Sequence, residues 1–256
     1  MGRRSALRRA LIARDPDRIR AMFDRIMPRY DLMNGLMTLG MDRHWRRMAA
    51  AQARLEGRDT VLDVCCGTGD LAFTLDEMYP DCAVVGLDFS TEMLARAREK
   101  AARQRRGGAP VSPEFVQGDL LDLPFPDDEF AAVTVGWGVR NVSQVGRAFA
   151  ELARVTRPGG RVVCLESTRT QGALGGRLHR LWMSRVVPAL GHVVTGETEA
   201  YAYLPASVEA FPSVEELASI MASVGFTSVR YRRVGLDGVA IHVGEVATAP
   251  GAAGRD

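Results

Sequence analysis

The stretch Asp63-Val64-Cys65-Cys66-Gly67-Thr68-Gly69 sets a carboxylate just before two closely spaced glycines. Glycines in such a turn let the backbone approach a ligand with no Cβ in the way. The helix that follows offers its free N–H groups. Asp88 lies about 20 residues on, where a carboxylate meets a ribose in dinucleotide-binding folds. Gly67-x-Gly69-x-x-Ala72 therefore fits a nicotinamide or flavin nucleotide as a pattern, and an oxidoreductase or a non-catalytic binding module is one reading.

Three features favour S-adenosyl-L-methionine instead. Asp63 sits where it would face an ammonium group and repel a pyrophosphate. Gly118-Asp119-Leu120 offers an Asp for an adenine amino group and a Leu for the ring. The turn Arg157-Pro158-Gly159-Gly160 has no evident phosphate role. On this reading Asp63, Gly67, Gly69, Asp88, Asp119 and Leu120, with Phe89 beside Asp88, form the cofactor side of a methyltransferase site.

The elements that must hold these residues can be read from periodicity. Apolar runs at Val61–Val64, Ala83–Leu87, Glu114–Gln117, Ala131–Val135 and Arg161–Leu165 predict five strands, with two more at Thr227–Val234 and Val239–Glu245. Helices are expected over Asp70–Tyr79, after Ser90, over Val145–Thr156 and over Val214–Val224. Arg103–Pro113 reads as a loop, and Pro158-Gly159-Gly160 as the stop after the fourth strand's helix. The alternation predicts an α/β, Rossmann-like sheet of seven mostly parallel strands with an antiparallel edge. Residues 1–58 read as a helical lid, 59–246 as the methyltransferase domain with a helical insertion at about 169–211, and 247–256 as a disordered tail.

Composition narrows the class. At 256 residues, 46% apolar and 25% charged, the chain has the make-up of an ordinary globular protein. Its formal charge of +2 gives no basis for a nucleic-acid partner. Residues 1–20 carry seven arginines against Asp15 and Asp17, a start suited to an anionic membrane surface or a lid. Lys100 is the only lysine, which reads as codon bias. Four cysteines without metal-site spacing suggest reduced thiols and a cytoplasmic setting. Neither a signal peptide nor a transmembrane helix is expected.

Longer motifs carry a resemblance. Tyr30-Asp31-Leu32-Met33-Asn34, Asp42–Arg46 with Trp45, Leu123-Pro124-Phe125, Gly136-Trp137-Gly138-Val139-Arg140-Asn141-Val142, and Arg154–Thr168 with Glu166-Ser167 resemble the ubiquinone/menaquinone biosynthesis C-methyltransferase family, most closely its demethylmenaquinone branch. The likeness runs from about Phe23 to Gly244. It implies cofactor contact by Thr68, Asp88, Asp119, Leu120 and Gly136. Cys65 stands where most methyltransferases have glycine, Asp42 where many members have His, and Thr38 where they have Ser.

The resemblance implies C-methylation of a prenylated quinol, with demethylmenaquinol the first expectation. A ring carbon becomes nucleophilic when its neighbouring hydroxyl loses a proton, and near-attack alignment is worth roughly 7–11 kcal/mol. Arg140 and Asn141 are the first candidates to favour the phenolate, with Tyr30 and Asp31 second and Asp31 as a base. No carboxylate cluster suggests a metal. The stripe Leu178–Val194, flanked by Arg177, Arg180 and Arg185, is expected to wall a prenyl tail, lie on a bilayer, or pack on the domain's own core or a homodimer partner. A relative acting on another lipid or natural-product ring is the alternative.

Overall fold

Thr60–Val64 (β1) is built from β-branched and apolar residues and is buried along nearly its whole length. Only a strand covered on both faces can run this way without polar alternation. It lies between β2 (Ala83–Asp88) and β4 (Phe130–Gly136), with Val61 opposite Val84 on one side and Ala132 on the other. In the computed structural model, residues 15–106, 113–170 and 173–248 are described. Arg3, Arg4, Arg8, Arg9 and Arg14, five of the seven arginines in residues 1–20, and the tail beyond residue 248 therefore fall outside the described residues.

With β3 (Glu114–Gln117), β5 (Thr156–Ser167), β6 (Phe226–Val234) and β7 (Val239–Val246), the sheet has the order β3-β2-β1-β4-β5-β7-β6. The first five strands are parallel, and β7 pairs antiparallel to both β5 and β6. This is the seven-stranded, mostly parallel Rossmann-like sheet with an antiparallel edge that the alternation of strands and helices predicts. The chain reverses its direction of travel between β1 and β4, so the loops after those two strands open on one crevice.

Helices cover both faces. α4 (Asp70–Met78) and α5 (Thr91–Arg106) bury Leu71, Leu75, Leu94 and Ala97 against one. α6 (Val145–Val155) and α10 (Val214–Ser223) bury Phe149, Leu152, Leu217 and Met221 against the other. In α6 the buried residues are 145, 148, 149, 152 and 155, the spacing of a single helical stripe. Ser213 and Glu216 close a reciprocal capping box at the start of α10.

Over the crevice lie α1 (Pro16–Ile26) and α2 (Tyr30–Thr38), while α3 (Met41–Ala53) buries Ala49, Ala50 and Ala53 against the first face of the sheet. α1 and α2 meet a helical segment made of α7 (Ala173–Leu181), a π-helical turn at Trp182–Val186, α8 (Val187–Thr195) and α9 (Thr198–Glu209). Ile19, Met22, Ile26 and Met33 pack with Val187, Tyr201 and Tyr203 in a core of their own. Trp182 Nε1 donates to the Met37 carbonyl at 2.9 Å, which ties the two helical groups together.

Two local readings of the sequence are corrected. α5 continues through Arg106, into the stretch expected to be a loop, while 107–112 lie outside the described residues. Arg157-Pro158-Gly159-Gly160 does not precede β5 but belongs to it. Phe130 pairs Thr156 and Ala132 pairs Arg161, so the extra residues form a bulge. Gly160 permits it, because a Cβ there would stand 2.7 Å from the Ala131 carbonyl oxygen.

Candidate active site

The glycine turn is held in place by Asp88 at the end of β2. Its Oδ2 accepts from the Gly67 N–H at 2.8 Å and its Oδ1 from the Ser90 N–H at 2.9 Å. Burial pushes its carboxyl above the usual range, against the pull of those N–H groups. Three successive departures from ordinary backbone make the turn: Cys65, Gly67 and Gly69 have φ of 55°, 55° and 86°. Cys65 thus adopts a left-handed conformation that suits glycine best. Gly138 accommodates it, since a Cβ on Gly138 would lie 2.4 Å from the Cys65 Cβ.

Beneath the turn Asp63 is 1% exposed. Its Oδ1 accepts from Thr134 Oγ1 at 2.7 Å, but its buried Oδ2 has no hydrogen-bond partner. Burial pushes its carboxyl up to about 7, although Thr134, Arg46 and the Ala72 N–H pull it down. A buried acceptor of this kind is satisfied by a cationic donor and is repelled by a phosphate. The residues present therefore fit the ammonium of S-adenosylmethionine. Asp63, Gly67, Thr68 and Gly136 border a narrow cleft of about 30 Å³.

Other expected cofactor residues lie around that cleft rather than on its walls. Phe89 packs under Arg20 of α1, whose Cζ is 5.1 Å from the ring centroid. Asp119 is exposed, and its Oδ1 accepts from the Leu121 N–H at 2.9 Å. Leu120 is 3% exposed and sits in the main core with Leu87 and Val64. Gly69 starts α4, where a Cβ would meet Phe73 and Phe115 at 2.9 Å.

The crevice's far side opens into a cavity of about 1380 Å³. That exceeds the roughly 300–1,000 Å³ of common small-molecule pockets. Its wall is mainly apolar, with Met22, Phe23, Ile26, Met37, Trp182 and Met183 among its residues. Tyr30, Arg46 and Trp137 border both this cavity and the cleft beneath the glycine turn.

Arg140 projects into the cavity from the short 3-10 turn Val139–Asn141 after β4. Its Nη1 donates to Glu166 Oε1 at 2.9 Å and to the Trp137 carbonyl at 2.6 Å, while its buried Nε has no partner. Burial disfavours its charge, but Glu166, Tyr203 and Tyr30 outweigh burial and raise its pKa. Tyr30 shares the wall; burial raises its phenol, which stays a neutral O–H donor near pH 7.

Asn141 and Asp31 do not line the cavity. Asn141 Oδ1 accepts from Tyr203 Oη at 3.1 Å and its Nδ2 donates to the Trp137 carbonyl at 3.4 Å. Asp31, expected as a base, turns its carboxylate to Thr68 Oγ1, 2.6 Å away, and to Lys100. Its place is a contact between lid and glycine turn. Sequence reasoning missed Arg46 and Asp42, a buried ion pair on the cavity wall, with Thr38 Oγ1 donating to Asp42 at 2.8 Å. Their i, i+4 spacing beside Trp45 was the available signal.

Comparison with known proteins agrees with this geometry. The ubiE/COQ5 methyltransferase family matches residues 12–246. A demethylmenaquinone methyltransferase of Thermus thermophilus is 46% identical over 224 residues, spanning 88% of this chain and 99% of that protein. One from Deinococcus radiodurans is 46% identical over 214 residues, 84% of this chain and 86% of its own. A ubiquinone/menaquinone biosynthesis C-methyltransferase UbiE of Geobacter sulfurreducens is 40% identical over 230 residues, with coverage of 90% and 88%. Among solved structures, the [4+2]-cyclase SpnF overlays with a TM-score of 0.66 at 18% identity, covering 91% of this chain and 97% of that one. A SAM-dependent methyltransferase from Aquifex aeolicus overlays at 0.55 and 19% identity, covering 78% and 88%. These two likenesses speak for the fold alone.

Proposed function

The chain belongs to the ubiE/COQ5 methyltransferase family, an S-adenosylmethionine-dependent enzyme by that membership, and on this premise we propose that it methylates a ring carbon of a prenylated quinol, demethylmenaquinol first. One observation supports the reading most. The wall formed by Tyr30, Arg46 and Trp137 separates a polar cleft with an unsatisfied carboxylate oxygen from an apolar cavity large enough for a ring and part of a prenyl tail.

The bound cofactor supplies a methyl group already activated on a sulfonium. Asp63 would hold its ammonium end through the unpartnered Oδ2, and Asp88 fixes the glycine turn that would face the rest. On the acceptor side Arg140, fixed by Glu166, holds positive charge beside the quinol hydroxyl and favours its phenolate. The neutral Tyr30 O–H orients that oxygen. Trp137 and Tyr30 close the ring against the methyl donor, and the apolar cavity excludes water from the reacting pair.

The same cavity bears on membrane contact. No described helix is long and apolar enough to cross a membrane. Leu39, Leu178, Leu181 and Leu236 all border the cavity yet are 75%, 62%, 48% and 66% exposed. An apolar rim at the opening of a cavity for a membrane-borne quinol suits peripheral docking at a bilayer, through which the tail enters.

The test is methyl transfer by purified protein from labelled S-adenosylmethionine to reduced demethylmenaquinone. Label on the ring carbon of the prenylated quinol is the expected product. Label on an oxygen, or turnover confined to small tail-free phenols, would overturn the substrate reading.

A further inference from the structure

The chain's single lysine stands where three elements of the site converge. Lys100, on α5, reaches Asp31 Oδ2 of lid helix α2 at 3.2 Å and Thr68 Oγ1 of the glycine turn at 3.3 Å. It also contacts Asp70 Oδ1 at the start of α4. Thr68 Oγ1 in turn donates to Asp31 Oδ1 at 2.6 Å. Asp70 continues the chain to Arg46, 3.3 Å away, which pairs with Asp42 on the cavity wall. The side chain of Lys100 is 21% exposed, and its ammonium lies 5.6 Å from the Phe73 ring centroid.

Without the ammonium, Asp31 and Asp70 would be like charges on either side of Thr68, with Arg46 offsetting Asp70 but not Asp31. That repulsion acts between lid and turn. The lid has further attachments: the apolar core with α8 and α9, the Trp182 donation to the Met37 carbonyl, the Arg25–Glu197 ion pair at 3.5 Å, the Arg20 guanidinium over the Phe89 ring and the Ser90 Oγ donation to Asp24 at 2.7 Å. The lid residue Tyr30 and the turn residues Gly67 and Thr68 border the same narrow cleft.

We propose that Lys100 is a positioning residue for methyl transfer, whose ammonium latches lid helix α2 to the glycine turn so that cofactor seating and lid closure occur together. This rests on the cofactor reading above. The latch touches neither substrate nor reacting atoms. It acts through Thr68 on the turn and through Asp70 and Arg46 on the wall shared with the acceptor cavity. A lysine that composition alone ascribes to codon bias thus has a specific place.

Uniqueness of the amine makes the latch directly readable. Amine-selective acetylation, mapped by mass spectrometry at residue 100, is expected to slow at least about fivefold when S-adenosylhomocysteine is added to the full-length protein. Lys100→Met is expected to weaken adenosylhomocysteine binding about tenfold in calorimetry and to raise KM for the cofactor more than it lowers kcat. It should also speed tryptic cleavage after Arg25 and Arg29 in the presence of the ligand. Lys100→Arg should recover affinity to within about threefold. Should Lys100→Met fold poorly, Asp31→Asn removes the same contact from the lid side, and the double variant should be no weaker in binding than the worse single one. Acetylation indifferent to adenosylhomocysteine, or a Lys100→Met protein that binds it normally with an equally protected lid, would overturn the latch. Failure of the unaltered protein to bind adenosylhomocysteine would instead overturn the cofactor reading beneath it.

Discussion

Arg140 and Glu166 are joined twice: Nη1 of the arginine donates to Oε1 at 2.9 Å, and its backbone N–H donates to Oε2 at 3.1 Å. Both side chains are buried, so the carboxylate fixes the cation's position as well as its charge. Removing one partner of such a pair leaves an uncompensated charge and costs about 3–5 kcal/mol. Glu166→Ala is expected to lose about that much stability in urea unfolding. Turnover should fall further than cofactor affinity, because Glu166 lies on the acceptor side.

Asp63 makes cofactor affinity depend on pH. Its carboxyl, pushed up to about 7 by burial, must be ionised to meet an ammonium group. Adenosylhomocysteine binding is therefore expected to weaken as pH falls below about 7, approaching tenfold per pH unit. Asp63→Asn should bind weakly with that slope removed. The sign for folding is opposite: a raised carboxyl contributes stability at low pH that is lost as pH rises from about 4 through about 7. Calorimetry and thermal unfolding at pH 5.5 to 8 check both slopes.

The two turn glycines should respond unequally to alanine. Gly67 has φ of 55° and open space where a Cβ would go, whereas Gly69 has φ of 86° and would meet Phe73 and Phe115 at 2.9 Å. Gly67→Ala is expected to cost about 1–2 kcal/mol of backbone strain. Gly69→Ala adds a clash with two packed rings and should cost clearly more, with a larger loss of cofactor affinity. Chemical denaturation of the two variants side by side gives the comparison.

Exposed leucines at the cavity rim give a separate test of bilayer docking. Leu178→Asp and Leu236→Asp are expected to reduce sedimentation of the protein with anionic phospholipid vesicles. Their turnover of vesicle-borne quinol should fall more than their turnover of detergent-dispersed quinol. Equal losses in both formats would place these residues in substrate binding alone.

Much of the scaffold was legible because its signals are local. Each parallel strand is a short apolar run, and the switch point follows from the glycine turn after β1 and the Gly136–Asn141 segment after β4. The bulge in β5 was not legible, because Pro158-Gly159-Gly160 carries the same local signature as an ordinary turn. Asp63, Asp88 and Arg140 could be placed at one edge of the sheet, because they lie in or just after β1, β2 and β4. Asp31's partners were not, since contacts from residue 31 to residues 68 and 100 depend on how the lid packs. Arg46 was overlooked for a like reason: its link to Asp70 crosses from α3 to α4.

The division of the site into a cofactor side and an acceptor side is tested most directly by paired substitutions read in one calorimeter and one turnover assay. Asp88→Ala should weaken adenosylhomocysteine binding by at least about tenfold, since it removes the carboxylate that holds the Gly67 N–H. Arg140→Ala should bind it within about twofold of the unaltered protein while kcat drops on the order of a hundredfold, the scale of one electrostatic contact to a reacting oxygen. Equal loss of cofactor affinity in the two variants would contradict the account.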